Sequence, residues 1–303
     1  MGEGVTVVVP TLNRGEVLVA TVRDLLEQNH RPLEILVVDQ SDEQDPELLE
    51  LRQANPGVVT YRHVAFRGLP VARNYGWMNA RHEAVIYVDD DVEVSDDFVR
   101  AHLDALRQDR VGLVGGRIVE AGGSSSARRG PGYTGRFNRV TAGVSSSFDV
   151  TGFFDVNHVK GCNFSGWKGV VSQVGGFDEH LGQAAALLEE TELCLRVREA
   201  GHRVVFEGAA SLIHFKAGEG GCRVSDVPRY VHSLARNRSV VIRRHVRPAF
   251  WPVALGRSLL FGLSYAVAYR RPAALGSCLR GIFDGWEIGG VAPLCTGGTE
   301  IFR

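Results

Sequence analysis

The 303-residue sequence predicts an α/β fold, a mostly parallel sheet flanked by helices with a C-terminal helical extension. Three observations predict it. Continuous β-branched runs recur through the first part of the chain, as in strands buried on both faces. Segments of helical spacing separate them, the alternation that gives a parallel sheet. Beyond residue 222 that alternation stops and arginine-rich, apolar helical segments take over, so residues 1–222 are expected to form one domain and 223–303 an extension.

Taken in order, Val5–Pro10 (VTVVVP) reads as a buried strand, Val17–Gln28 as a helix and Leu33–Asp39 (LEILVVD) as a second buried strand. Asp45–Gln53 is helical and Val58–Val64 a short strand. Pro70–Arg81 opens a helix with proline in its first turn. Val85–Asp89 is a strand that runs into three acids, and Ser95 is placed to cap a helix through Leu106, with Asp96 and Asp97 favoured at its N-terminus. Val111–Val119 is strand-like. Ala121–Gly135 is rich in Gly, Ser and Arg and reads as a mobile loop. Leu187–Ala200 returns to helical spacing before Gly201, Val204–Phe206 and Ser211–His214 are short strands, and Tyr230–His245 is a basic helix.

Composition narrows the class. With 44% hydrophobic and 23% charged residues the chain is globular rather than disordered or fibrous. The five cysteines, 162, 194, 222, 278 and 295, are odd in number and lack CxxC pairing, which reads as reduced thiols in a cytoplasmic protein without a zinc site or disulfides. Met1–Pro10 has no cationic region ahead of its apolar stretch, so no secretory signal is expected. Net charge is −1, yet Arg223–Arg280 holds eleven arginines and one acid, Asp226, so the rest of the chain is strongly acidic.

Ligands of open α/β sheets sit beyond the carboxyl ends of the strands. That edge would carry Pro10, Thr11, Asn13 and Arg14 after the first strand, Asp39 after the second, and Asp89-Asp90-Asp91 after the strand from Val85. The first turn lacks G-x-G-x-x-G, and the chain has no Gly-Lys pair of a P-loop. The three carboxylates have two readings, a solvated approach to a helix or a site for a hard divalent cation; their place directly after a buried strand favours the cation.

Several motifs together resemble family 2 glycosyltransferases: Pro10-Thr-Leu-Asn-Arg14, the VVD ending at Asp39, Ala72-Arg73-Asn74, Asp89-Asp-Asp91, Gly175-Gly-Phe-Asp178 and Glu189-Glu-Thr-Glu-Leu193, in that order. The resemblance implies the GT-A fold, a Rossmann-like mostly parallel sheet, and an inverting enzyme that uses a nucleotide-diphospho-sugar. It implies a nucleotide site at Pro10, Thr11, Asn13, Arg14, Asp39, Arg73, Asp89 and Asp90, with Asp39 suited to the imide N–H of a UDP- or dTDP-sugar. It implies Mn²⁺ or Mg²⁺ on Asp91, with Asp89 or Asp90 on the ribose or the metal and His214 reaching the metal from the other side. Gly161-Cys162-Asn163 resembles the segment lining the donor-sugar pocket, with Trp167 just beyond. Glu189 and Glu190 match the acidic pair opening the catalytic helix, Glu190 being the general base and Glu189 part of the donor/acceptor pocket.

Two other readings are a nucleotidyltransferase and a sugar-nucleotide-binding relative without transfer. The first normally has a Gly-rich basic loop after strand one, missing here, and the acids at both metal and base positions speak against the second. Ala249–Tyr269 is apolar but broken by Pro252 and Arg257, and the uncharged stretch Ser258–Tyr269 is too short to span a bilayer. Residues 230–290 are therefore expected to make a peripheral membrane contact, drawing a lipid-linked acceptor to the same face, or to form a homodimer interface. Nucleic-acid binding fits less well, because the arginines are interleaved with apolar residues.

Overall fold

The computed structural model describes residues 3–122, 130–183, 185–215 and 224–298. Its elements are β1 (Val5–Thr11), α1 (Gly15–Leu26), β2 (Leu33–Asp39), α2 (Pro46–Ala54), β3 (Val59–His63), α3 (Leu69–Asn79), β4 (Ala84–Val88), β5 (Val92–Val94), α4 (Phe98–Leu106), β6 (Val111–Glu120), β7 (Phe137–Asn138), β8 (Gly143–Val144), β9 (Phe153–Asp155), β10 (Asn163–Trp167), α5 (Lys168–Gln173), α6 (Glu189–Glu199), β11 (Arg203–His214), α7 (Val227–His245), α8 (Trp251–Ala268) and α9 (Ala273–Ile288).

The large sheet runs β3-β2-β1-β4-β10-β6-β11-β5, with β9 also paired to β11. β1, β2, β3 and β4 are parallel, as are β6 and β11. β10 lies antiparallel between β4 and β6. The runs VTVVVPT and LEILVVD are buried at every position, because helices cover both faces of the sheet. Register brings Thr11 opposite Asp39, so the first two strands end level with one another.

Two local expectations change, one strand is not anticipated by the sequence, and one expected loop lies largely outside the described residues. Ser95 is not a helix cap: α4 begins only at Phe98, whose N–H bonds the Ser95 carbonyl, because Val92–Val94 is first used as an edge strand against β11. The two short strands before His214 are one strand, irregular between Glu207 and Ser211. β10 carries no long apolar run (NFSGW) and gave no strand signal in the sequence. The loop expected over Ala121–Gly135 falls largely on residues 123–129, outside the described residues, and Pro131–Tyr133 beyond them forms a short 3₁₀ turn.

The extension is built from α7, α8 and α9. α7 and α9 approach closely because Gly281 and Gly285 face the α7 backbone; a Cβ at Gly285 would collide with the Arg236 carbonyl. α8 and α9 form an antiparallel hairpin in which Cys278 Sγ lies 3.3 Å from the Ser258 carbonyl and Trp251 meets Trp286 edge-on at 4.7 Å.

Candidate active site

The ends of β1, β2 and β4 create two adjoining clefts that share Thr11 and Arg14. One, of about 350 Å³, is lined by Asn13, Asp39, Ser41 and Asp42. The other, of about 240 Å³, is lined by Pro10, Gln40, Asp89, Asp90, Asp91 and His214. Asp39 is fixed from below: Tyr61 Oη donates to its Oδ2 at 2.6 Å, and Ser41 N–H donates to Oδ1 at 2.9 Å. Asn13 adopts the left-handed conformation (φ 56°), tolerated by Asn, which turns its N–H onto Ser41 Oγ at 2.8 Å.

The three acids face different partners. Asp90 accepts from Thr11 Oγ1 at 2.6 Å and from Arg14 at 2.7 Å. Burial pushes its carboxyl up to about 6, against the pull of Arg14. Asp91, also buried, lies 3.1 Å from Arg14 and 3.2 Å from His214 Nε2. Asp89 is the more open acid, 3.8 Å from Arg73 and 3.9 Å from His214. Burial would lower the His214 pKa, but the hydrogen bond and charge of Asp91, with Asp89 and Glu120, raise it. Glu120 Oε2 stands 3.2 Å from His214 Nδ1 and orients the ring, as carboxylates do behind metal-ligating histidines.

Ligand atoms of Asp89, Cys162 and His214 lie within 4.8 Å of one another, with Asp91 against the same imidazole. Carboxylate oxygens and an imidazole nitrogen are a donor set that fits a divalent cation, and the thiol adds a softer donor. Cys162, read from the sequence only as a reduced thiol within the Gly161-Cys162-Asn163 segment, is placed here as a candidate ligand, although burial and the nearby carboxylates push its thiol pKa up.

Beside these acids, Arg73 is buried on α3. It donates to Glu189 Oε1 at 2.6 Å and to the Gly161 carbonyl at 2.9 Å, and its guanidinium stacks over Phe164. It thus ties the acids after β4 to the start of α6. Leu188 precedes α6 with φ 68°, left-handed backbone that costs a non-glycine residue about 1–3 kcal/mol and sets the direction of Glu189 and Glu190. The Glu190 carboxyl sits well above its ordinary pKa, first through burial and then through the neighbouring Glu189 charge, with Arg73 opposing. α7 holds this approach in place: Asn237 Nδ2 donates to the carbonyls of Leu181 and Leu187, each at 2.9 Å.

Two expected pocket residues lie elsewhere. Trp167 pairs with Ala84 at the opposite end of β4 from Asp89, and its Nε1 donates to the Leu106 carbonyl. Asn163 pairs with Val88, near the acids, but strand alternation turns it to the α4 side. There it meets His102 Nε2 at 2.9 Å and donates to the carbonyls of Arg117 and Ala210. Phe164, of opposite parity, is the residue that faces Arg73. Gly161 takes part through its carbonyl.

The sequence profile of Glycosyl transferase family 2 matches residues 6–162, which include β1, the three acids and Gly161-Cys162. The chain belongs to this family. It is therefore a glycosyltransferase. Among curated relatives, the glucosyl-dolichyl phosphate glucuronosyltransferase of Haloferax volcanii is 26% identical over 218 residues, 69% of this chain and 68% of that protein. The pre-mycofactocin glycosyltransferase of Mycobacterium tuberculosis is 27% identical over 211 residues, 69% of this chain but only 42% of that protein. Among solved structures, the mannosyltransferase PcManGT from Pyrobaculum calidifontis, in complex with GDP-Man and Mn²⁺, superposes with a TM-score of 0.56 at 18% identity, covering 95% of this chain and 76% of that one. GalNAc-T7 with UDP, GalNAc and Mn²⁺ gives 0.60 at 16% identity, covering 80% and 50%. TarS of S. aureus gives 0.60 at 14% identity, covering 92% and 80%. The shared architecture is the GT-A fold, and in this family 2 enzyme Arg73 links the acids at the β4 end to the start of α6.

Proposed function

We propose that the enzyme is an inverting, metal-assisted glycosyltransferase that moves a sugar from a UDP- or dTDP-sugar to the hydroxyl of a lipid-linked acceptor. The observation that carries this is the bridge made by Arg73 between Glu189, which opens α6, and Asp89, at the end of β4. It brings the start of α6, where Glu190 follows Glu189, close to the carboxylates after β4. Thr11, Asn13 and Asp39 bind the nucleoside, with Pro10 and Arg14 beside it, and Asp39 accepts the base's imide N–H. Asp91, His214 and Asp89 would hold Mn²⁺ or Mg²⁺, which when bound supplies Lewis acidity toward the diphosphate leaving group. Arg73 faces the diphosphate side, and Asp90, neutralised by Arg14, positions the metal ligands. Gly161 and Glu189 border the donor sugar.

The acceptor oxygen attacks the anomeric carbon as its bond to the diphosphate breaks, Glu190 takes the hydroxyl proton, and nucleoside diphosphate leaves. The raised pKa of Glu190 suits it to that transfer, because a base near the working pH takes the proton with more driving force than an ordinary carboxylate. Support for a nucleotide-sugar donor and a cation comes from the solved neighbours, two of which hold Mn²⁺ with GDP-Man or UDP. Support for a lipid-linked acceptor comes from the relative named for glucosyl-dolichyl phosphate. In this reading residues 1–222 carry the chemistry and 223–303 are an extension, and the setting is the cytoplasm, consistent with the free thiols of Cys162, Cys194, Cys278 and Cys295 among the described residues.

Transfer from a panel of sugar nucleotides, with Mn²⁺ or Mg²⁺ and with Asp91→Ala alongside, tests the reading. A metal-dependent product of inverted anomeric configuration, lost in Asp91→Ala, is expected. Retained configuration, or Asp91→Ala activity near wild type in chelator, overturns it.

A further inference from the structure

We infer that the α8–α9 hairpin is a docking surface for an anionic lipid bilayer, lying along its face rather than crossing it. Isolated exposed apolar residues are ordinary on soluble proteins, whereas a stripe of them marks an interaction site. Val253, Leu260, Leu263 and Val267 fall on one side of α8, with Leu260 67% and Val267 71% exposed. The opposite side buries Ala254, Ser258 and Gly262 against the neighbouring helices. α9 adds Leu279 and Phe283, the latter 65% exposed.

Charge says what covers this surface. From Trp251 to Phe283 there is no acid, and there are four arginines, 257, 270, 271 and 280, all exposed. Arg270 and Arg271 form the turn of the hairpin beside exposed Tyr269. A second copy of this chain would set arginines against arginines, whereas anionic headgroups complement them. An independent feature agrees. A cleft of about 330 Å³ between β7–β8 and α8 is lined by Arg136 and Arg257 with Asn138, Asn157 and Ser145, and no acid lines it. It is suited to a headgroup phosphate, and exposed Val144 stands at its edge.

The hairpin lies on the membrane for a physical reason. With the 3₁₀ turn before it, α8 belongs to a 21-residue helical stretch, Pro248–Ala268, long enough at about 1.5 Å per residue for the roughly 30 Å apolar core, so length does not decide the matter. One side of α8 is committed to α7 and α9, and Arg257 interrupts it. An apolar stripe flanked by arginines is the pattern of an interfacial helix. Docking has a consequence for catalysis that rests on the lipid-linked acceptor proposed above. α9 packs on α7, and Asn237 of α7 grips the segment that ends at Glu189, so the docked hairpin fixes the acceptor side of the cleft relative to the lipid surface.

Flotation of the full chain with phosphatidylcholine vesicles, with and without phosphatidylglycerol, at low and high salt and with neither donor nor acceptor present, tests the docking alone. Wild type is expected to float with the phosphatidylglycerol vesicles and to be released by salt. Arg270→Ala/Arg271→Ala should weaken binding about tenfold or more. Leu260→Glu/Val267→Glu, at two exposed positions, should abolish binding while leaving circular dichroism and donor hydrolysis unchanged. Wild type that stays unbound at low salt, equal binding by Leu260→Glu/Val267→Glu, or a detergent-free dimer through this face that ignores vesicles overturns the inference. An enzyme that floats but transfers nothing to a lipid-linked hydroxyl refutes the acceptor assignment and leaves the docking standing.

Discussion

Arg73 donates to Glu189 at 2.6 Å across 116 residues of sequence, and both side chains are almost completely buried. Such a pair is weak evidence for stability as a whole, but removing one partner strands the other as an uncompensated buried charge. Arg73→Met should therefore cost about 3–5 kcal/mol in urea denaturation, seen as a lower midpoint with little change in slope. Adding Glu189→Gln to Arg73→Met should recover part of that loss, since the two residues are coupled. Equal losses in the single and double variants would show that Arg73 acts through its stacking on Phe164 instead.

Glu190→Gln separates the base from the fold. Turnover should fall by roughly 10²–10⁴-fold while donor binding is kept. The sign of the linkage follows from the raised carboxyl pKa in the folded state. The folded protein holds that proton more tightly than the unfolded chain, so stability is lost as pH rises through the folded pKa. At neutral pH Glu190→Gln should therefore be at least as stable as wild type. The acid limb of the wild-type kcat profile should also lie above the ordinary carboxylate range. A clearly destabilised Glu190→Gln would mean that the carboxylate is a structural ion.

In the proposed metal site Cys162 would add a donor of a character that carboxylates and imidazole alone lack. With Asp89 and His214 within 4.8 Å, its sulfur is placed to favour softer divalent ions over Mg²⁺. Titration with Co²⁺ should give a thiolate-to-cobalt charge-transfer band in the near ultraviolet that Cys162→Ser lacks. Zn²⁺ should also compete with Mn²⁺ better in wild type than in Cys162→Ser. Identical cobalt spectra for the two proteins would remove the thiol from the ligand set.

Much of the site was legible because parallel strands announce where they end. VTVVVPT, LEILVVD and AVIYV are continuous apolar runs, and the polar residues just after them, Thr11, Asn13, Asp39 and Asp89–Asp91, had to share one edge once the strands were parallel. The errors came where tertiary context decides. Nothing in NFSGW reveals that β10 runs antiparallel between β4 and β6, yet that direction carries Trp167 away from the acids. Period two then turns Asn163 to His102 while Phe164 meets Arg73. The Arg73–Glu189 contact needed the folded chain, since its partners lie on α3 and α6. Trp167→Phe should accordingly leave the KM for donor within error of wild type; a large rise in KM would restore Trp167 to the pocket.

The anchoring of α6 makes acid sensitivity predictable. Glu192 is fully buried, 2.6 Å from Arg196, 3.0 Å from Arg244 and 3.5 Å from His245. Burial alone would raise its pKa, but Arg196 and His245 outweigh it and hold the carboxyl well below the usual range. For a depressed carboxyl the unfolded chain takes up the proton first. The stability Glu192 contributes is then fully present above its unfolded pKa and drains away as pH falls toward the folded one. Glu192→Gln should be less stable than wild type by about 3–5 kcal/mol at neutral pH, because it leaves buried cations without their counter-ion. The gap between the two proteins should narrow at about pH 3, where wild type has begun to lose the same interaction. Urea midpoints measured at both pH values decide it. A gap that stays constant with pH would mean that Glu192 contributes through packing and neutral hydrogen bonds rather than through its charge.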